Sequence, residues 1–435
     1  MAKKIWPAVT SALLACLVVA CAQQTSEVII EKSASAEYTV STGKLAQIEE
    51  KLQAEVEAGI RSGFVVMVNQ GGETVYETAV GLADIEAAKP MTQETEFRIA
   101  SMTKPVTSLA IMMLVERGDV LLTDPVAKYI PAFADAKVAT SPNYNEEGVI
   151  PTEPLQRHMT VHQLLTHTSG LGYIFDFSTD LGKEMIAGSL YTLEGDLAAR
   201  IDALAEFPLY TQPGTRWQYS YATDVLGRIV EVASGKSLDA FFEEEIFTPL
   251  GMSETGFYLG ETDFSDLAMV YSFNEAGEMV PPGRIRGNPD PNADSPVWPS
   301  GGGGLVSTAR DYMRFAQLLL NGGELDGVRL VSPATIDLMT SPHVAEEKLV
   351  GTFMQKGENF GLGGRVVVEP GYAGRVQAAG EFGWGGYYDT TFFLSPQYDL
   401  AIIVMAQREP GPHAPESRAQ GIVRATAYGA LDIKD

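Results

Sequence analysis

The chain has 435 residues, 45% of them apolar and 20% charged, which is ordinary globular composition for more than one small domain. Lys and Arg number 31 against 56 Asp and Glu, a formal net charge of −25. That balance argues against a protein that follows a nucleic-acid backbone, and it says nothing about fold.

Taken in chain order, the sequence opens on Lys3 and Lys4, followed by an apolar run from Ile5 to Ala20 that Pro7, Thr10 and Ser11 interrupt. The run is too short and broken for a membrane span and reads as a secretory signal, residues 1–20. It ends Leu17-Val18-Val19-Ala20-Cys21, which resembles a bacterial lipobox. The expectation is an exported lipoprotein, anchored to a membrane through lipidated Cys21 and facing the periplasm, or else secreted. Cys16 falls inside the signal, so no disulfide framework, thiolate metal site or Cys nucleophile is available to the mature chain. Residues 21–43 read as a tether.

Leu45, Ile48, Leu52 and Val56 recur at helical spacing and predict a helix over 44–59. Residues 64–68 and 74–76 flank Asn69-Gln70-Gly71-Gly72 as a hairpin. The apolar run from Ser101 to Glu116 predicts a buried helix with Pro105 tolerated near its start. Residues 281–304 hold six Pro and six Gly and predict an irregular surface excursion. Helical spacing returns over 308–321. Residues 387–393 and 400–406 read as strands joined by Ser395-Pro396-Gln397. Strands at both ends with helices between suggest one sheet assembled from the two ends. The domain expectation is an α/β sheet unit of residues 44–130 and 301–435, with a mainly helical unit of residues 131–300 inserted.

Several chemistries find no support. The five His residues form no His-Glu-x-x-His, and His162 and His167 are poorly spaced for a shared ion, so no metal is expected. No P-loop occurs, and Gly301–Gly304 lacks dinucleotide spacing. The Gly-x-Ser-x-Gly nucleophile elbow is absent. Ser-x-x-Lys occurs twice, as Ser41 to Lys44 and as Ser101 to Lys104. The first sits in the tether, where Ser41 reads as a helix N-cap. The second opens an apolar helix. Residues three apart share a helix face, so Lys104 can reach the Ser101 hydroxyl and help take its proton. On its own, this pair reads equally well as a capping Ser beside a snorkelling Lys.

Residues 97–104, Phe-Arg-Ile-Ala-Ser-Met-Thr-Lys, resemble the active-site segment of the serine β-lactamase and penicillin-binding protein superfamily, most of all its class C β-lactamase and family VIII carboxylesterase branch. Further segments are similar to that branch in family order: residues 160–171 (Thr-Val-His-Gln-Leu-Leu-Thr-His-Thr-Ser-Gly-Leu), 213–220 (Pro-Gly-Thr-Arg-Trp-Gln-Tyr-Ser), 247–257 and 302–311. The resemblance implies a β-lactamase/transpeptidase-like α/β (α+β) fold, an antiparallel sheet flanked by helices plus a mainly helical region. It implies that Ser101 is the nucleophile and that Tyr219, in Tyr219-Ser220-Tyr221, is the general base beside Lys104. Tyr221 stands where the family has Asn and is expected in the substrate site. The family's third element, Lys-Thr-Gly, is missing, and Trp384-Gly385-Gly386 stands in its place. Trp384 offers an apolar face and one N–H where the lactamases have a cation. By resemblance, Trp384, Gly385 and Gly386 bind substrate, and the N–H groups of Ser101 and Tyr387 form the oxyanion hole.

The function implied is hydrolysis of small-molecule carboxylic esters through an acyl-enzyme, without a cofactor, and with weak side activity on β-lactams. The alternatives are a β-lactamase or D-amino peptidase and, from another class, a non-catalytic penicillin-binding-like lipoprotein. Arg375 and Arg408 are the local cations that could replace the missing lysine.

Overall fold

The computed structural model describes Met1 and residues 38–190, 195–257, 266–281 and 298–433. The signal segment, Cys21 and most of the tether lie outside the described residues, as do residues 282–297.

The two ends of the chain meet in one antiparallel sheet. From the N-terminal side come β1 (Gly63–Gln70), β2 (Glu73–Asp84) and β3 (Lys89–Pro90), preceded by helix α1 (Gln47–Glu57). A short strand β4 (Glu96–Arg98) leads into helix α2 (Thr103–Arg117). Helices Val161–Leu165, Asp180–Ala187 and Leu197–Leu204 follow, then α3 (Ala222–Ser234). The chain returns through β5 (Leu305–Thr308) and α4 (Ala309–Leu320). It then forms β6 (Glu358–Phe360), β7 (Arg365–Val367), β8 (Phe382–Gly385), β9 (Thr391–Ser395) and β10 (Leu400–Met405), then α5 (Ala419–Gly429). A last short strand, Leu431–Ile433, pairs antiparallel with Tyr38–Val40, so the end of the stretch read as a tether is paired chain. The sheet order is β6-β7-β8-β9-β10-β1-β2-β3, so β10 and β1 join the two ends at its middle.

The unbroken apolar runs of β1 and β10 have a physical reason: both faces of the sheet are covered. Alternate residues serve different cores. Phe64, Val66, Val68, Leu400, Ile402 and Val404 meet Leu45, Ile48 and Leu52 from the α1 side and Val423 and Ala427 of α5. Val65, Met67, Ala401, Ile403 and Met405 face the larger core with α2, α3 and α4. Helix α2 is buried from Thr103 to Leu114 and stops at Gly118, whose φ of +81° is the left-handed cap that glycine adopts freely.

Two expectations are corrected. Residues 387–390 are not strand. They form the turn between β8 and β9, closed by Gly386 N donating to Thr390 O at 2.7 Å and by Asp389 at φ +74°. The stretch read as a surface excursion is, over 298–304, buried chain. Its glycines serve close backbone approach. A Cβ on Gly301 would stand 2.8 Å from Thr223 O, and one on Gly304 would stand 2.9 Å from Ser300 N.

Candidate active site

Strand β4 pairs with β5 and carries the chain to Ile99, whose N–H donates to Leu305 O at 3.1 Å. The next residue, Ala100, is held at φ +44°, a region that residues with a Cβ adopt at a cost. That bend turns the chain through one 3-10 turn, Ala100–Met102, into α2. Ser101 emerges at the bend, and Lys104 follows one turn along the helix.

Lys104 is fully buried. Its Nζ donates to Ser101 Oγ at 3.2 Å and to Gly302 O at 2.5 Å. It also lies over the rings of Tyr219 and Tyr173, 4.7 Å and 5.5 Å from their centroids. Tyr219 precedes α3 in a segment fixed by Gln218 N donating to His167 O at 2.8 Å. The hydroxyl oxygen of Tyr219 accepts from Trp384 Nε1 at 3.3 Å. Ser101, Lys104, Tyr219 and Trp384, read from separate parts of the sequence, thus form one continuous set of contacts.

Gly386, rather than Gly385, is the sterically demanding glycine. Its Cβ would stand 2.2 Å from Thr390 Oγ1 and 2.4 Å from Ile99 O, whereas one on Gly385 would meet nothing nearer than Thr390 O at 3.3 Å. The bare Cα lets the 386–390 turn lie against the Ser101 bend, with Ala100, Tyr387 and Tyr388 in one cluster. The turn that carries Tyr387 thus packs beside the bend that carries Ser101. The turn is held from behind by Asp389, which is ion-paired with buried Arg61 and accepts from Gln420 Nε2 at 3.1 Å.

Tyr221 is a correction. It is buried at the N-terminus of α3, its hydroxyl shares a hydrogen bond with Ser189 Oγ at 3.0 Å, and its ring lies 4.6 Å from Tyr173. It supports Tyr173 instead of facing a substrate. Arg408 and Arg375 are both engaged: Arg375 with Glu358 and with Gln377 Oε1 at 2.9 Å, and Arg408 with Pro415 O at 2.7 Å and Asp389 at 3.8 Å. The other Ser-x-x-Lys lies elsewhere. Lys44 donates to Gly429 O at 3.0 Å beside α5, and the Ser41 side chain makes no cap hydrogen bond.

Three features escaped the sequence. His167 is buried against Tyr219 with ring centroids 4.8 Å apart, and burial together with the Lys104 charge holds its pKa well below the usual imidazole value. It is a neutral packing group. Asp224, on the first turn of α3, is buried and accepts from the N–H of Gly302, whose carbonyl oxygen accepts from Lys104. Third, an aromatic rim surrounds the site. Phe175 stacks on Tyr387 at 6.1 Å with 14° between ring planes, and Phe353 lies 5.0 Å from Trp217, 5.8 Å from Tyr219 and 6.1 Å from Trp384. Phe175 is 48% exposed and Phe353 61%, so each offers an open apolar face. Tyr173-Ile174-Phe175-Asp176-Phe177 carries the only sequence hint of this, an aromatic at alternate positions after Leu171. Among the described residues no group of three or more His, Cys, Asp or Glu could hold a metal ion. His162 Nε2 and His343 Nδ1 share a hydrogen bond at 3.1 Å.

Comparison with known proteins agrees with this geometry. The family model described as Beta-lactamase matches residues 46–427. Esterase EstB of Burkholderia gladioli is 31% identical over 392 residues, covering 86% of this chain and 94% of that protein. The structure of EstCE1, "a hydrolase with promiscuous acyltransferase activity", superposes with a TM-score of 0.73 at 28% identity over 89% of this chain and 99% of that one. Simvastatin synthase LovD from Aspergillus terreus gives 0.76 at 25% identity over 89% and 98%. With a serine and lysine one helical turn apart at the end of a two-ended antiparallel sheet, and a family match spanning nearly all the described chain, the protein belongs to the Beta-lactamase family, within the serine β-lactamase and penicillin-binding protein superfamily.

Proposed function

We propose that the protein is a serine carboxylesterase acting on uncharged, apolar esters. The observation that carries the reading is the fully buried Lys104 side-chain nitrogen, within hydrogen-bond distance of Ser101 Oγ and over the Tyr219 ring. The Lys104–Tyr219 pair, one proton short of ammonium plus phenol, takes the Ser101 proton as the serine oxygen attacks the ester carbonyl. The N–H groups of Ser101 and Tyr387 receive the developing oxyanion. The tetrahedral carbon collapses, the C–O bond to the alcohol breaks, and the pair returns the proton to the leaving oxygen. Water then adds to the acyl-enzyme with the same proton transfers, which releases the acid and restores the serine hydroxyl.

Preference for esters over β-lactams rests on what surrounds that centre. A lactam substrate brings a carboxylate, and burying a charge without a partner is costly. Trp384 stands where the lactamases have a lysine, and Arg375 and Arg408 already hold other partners. Phe175, Phe353 and Trp384 instead offer apolar area to an acyl chain or alcohol. Relatives that are named esterases, among them EstB and the lovastatin esterase of Penicillium rubens, support the same chemistry. The test is steady turnover of p-nitrophenyl butyrate that is lost in Ser101→Ala; a single burst without turnover would mark a binding protein instead. We also propose, from the lipobox-like end of the signal, that Cys21 carries a lipid anchor and that the enzyme works outside the cytoplasm.

A further inference from the structure

Asp224 is buried without exposure, three residues beyond Tyr221 on α3. Its Oδ1 accepts from Ser300 Oγ at 2.6 Å and from Gly302 N at 3.0 Å. Its Oδ2 has no hydrogen-bond partner among the described residues. Gly302 faces two ways, its N–H toward Asp224 and its carbonyl oxygen toward Lys104 Nζ. The fit is close, since a Cβ on Gly302 would stand 2.4 Å from Asp224 Oδ2. Thr107 Oγ1 of α2 donates to Gly301 O at 2.7 Å and ties the same loop to the helix that carries Ser101 and Lys104.

Helix capping does not explain this arrangement. A first-turn acidic residue does its work at the surface, where the unused oxygen is hydrated. A fully buried carboxylate with one oxygen unpaired is expensive unless a cation stands close. Burial pushes the Asp224 carboxyl up, and the Lys104 charge, with the Ser300 and Gly302 donors, opposes that rise. The titratable groups facing it are Lys104 from α2 and Tyr221 from the N-terminus of its own helix. Behind Lys104 stand Tyr219, Tyr173 and neutral His167.

We propose that Asp224 is a positioning residue of the hydrolase: as a carboxylate it fixes Gly302, whose carbonyl aims Lys104 at Ser101, and it balances the positive charge that the Lys104–Tyr219 pair gains when it takes the serine proton. No family block in the sequence marks this residue, and it touches neither substrate nor Ser101. The proposal deepens the serine-hydrolase reading and rests on it.

The test is the isosteric Asp224→Asn, with kcat/KM for p-nitrophenyl acetate followed from pH 5 to 10. A cation that loses its anion gives up a proton more readily, so the acid limb moves to lower pH, by about one unit. The plateau falls about tenfold as the pair becomes a weaker proton acceptor. Ser300→Ala, which removes one donor to the carboxylate and leaves the chain otherwise intact, moves the limb the same way by less, and it serves if the Asn variant does not fold. The same profiles are taken for the labelling rate of Ser101 by a fluorophosphonate, which needs an activated serine and no ester turnover. Labelling of the parent without ester turnover would fault the esterase reading alone, while the limb of the labelling profile still reports on Asp224. An acid limb that stays in place in both variants, whatever happens to the plateau, would reduce Asp224 to a packing group and overturn the proposal.

Discussion

A serine, a lysine, a tyrosine and a tryptophan make up the proposed centre, and each side chain can be removed separately. Ser101→Ala deletes one oxygen from a half-buried side chain and should abolish ester turnover while the thermal midpoint stays within a degree or two. Ser41→Ala should change neither, because the Lys44 amino group is spent on Gly429 O. Trp384 has two roles, an apolar wall and a donor to the Tyr219 oxygen. Trp384→Phe keeps most of the wall and loses the donor, so it should lower kcat more than it raises KM. Trp384→Ala should lose about 1–3 kcal/mol of transition-state stabilisation, with KM rising as well. Trp384→Phe kinetics equal to those of the parent would show that the indole N–H contributes nothing. Gly302→Ala is the sharpest steric probe: its Cβ would meet a buried carboxylate at 2.4 Å, and about 1–3 kcal/mol of stability should be lost together with activity.

Strand β4 leads straight into the Ser101 bend, and its first residue, Glu96, is buried with its carboxyl pushed up to about 7, chiefly by that burial. In the unfolded chain it titrates near the ordinary glutamate value of about 4.3. The folded state therefore keeps its proton where the unfolded state has lost it. The stability this provides is full at acid pH and is lost as pH rises through about 7. Glu96→Gln, compared with the parent by thermal melting, should be close to neutral at pH 4.5 and stabilising at pH 8.5, by an amount on the order of 1 kcal/mol. A pH-independent difference would show that Glu96 titrates normally. The elements that the sequence revealed are those whose period follows from burial on one or two faces, such as α1, α2, β1 and β10. The elements it misjudged are those where glycine and aromatic residues have tertiary reasons. Tyr387 to Thr390 look β-prone, yet Gly386 against Ile99 O forces a turn there. The Gly301–Gly304 run looks like a loop at the surface, yet its missing side chains let it run under α3 and present a carbonyl to Lys104. Ser101 and Lys104 were legible because helical spacing alone brings them together. Asp224 was not, because its partners at 300 and 302 are more than seventy residues away in sequence.

Across the molecule, the proposed centre is assembled by the two chain ends closing one sheet. Tyr387 belongs to the C-terminal side and Ser101 to the N-terminal side, and the β10–β1 pairing holds them in one body. Arg61, from the loop before β1, clamps Asp389 in the 386–390 turn, so Arg61→Ala should loosen that turn and, if Tyr387 N serves the proposed oxyanion, lower kcat with little change in KM. The strongly acidic chain is expected to repel anionic substrates at low ionic strength, a field that adds to the missing lysine. Cys21 tests the location: Cys21→Ala should release the protein from membranes or block its processing, and unchanged fractionation would remove the anchor from the account.

The central claim is that Ser101 turns over esters in preference to lactams. The most direct measurement is kcat/KM of the parent enzyme for p-nitrophenyl butyrate and for nitrocefin, side by side. The account predicts steady ester turnover that exceeds lactam hydrolysis by orders of magnitude and disappears in Ser101→Ala. A nitrocefin value equal to or above the ester value would contradict it and move the protein to the lactamase branch.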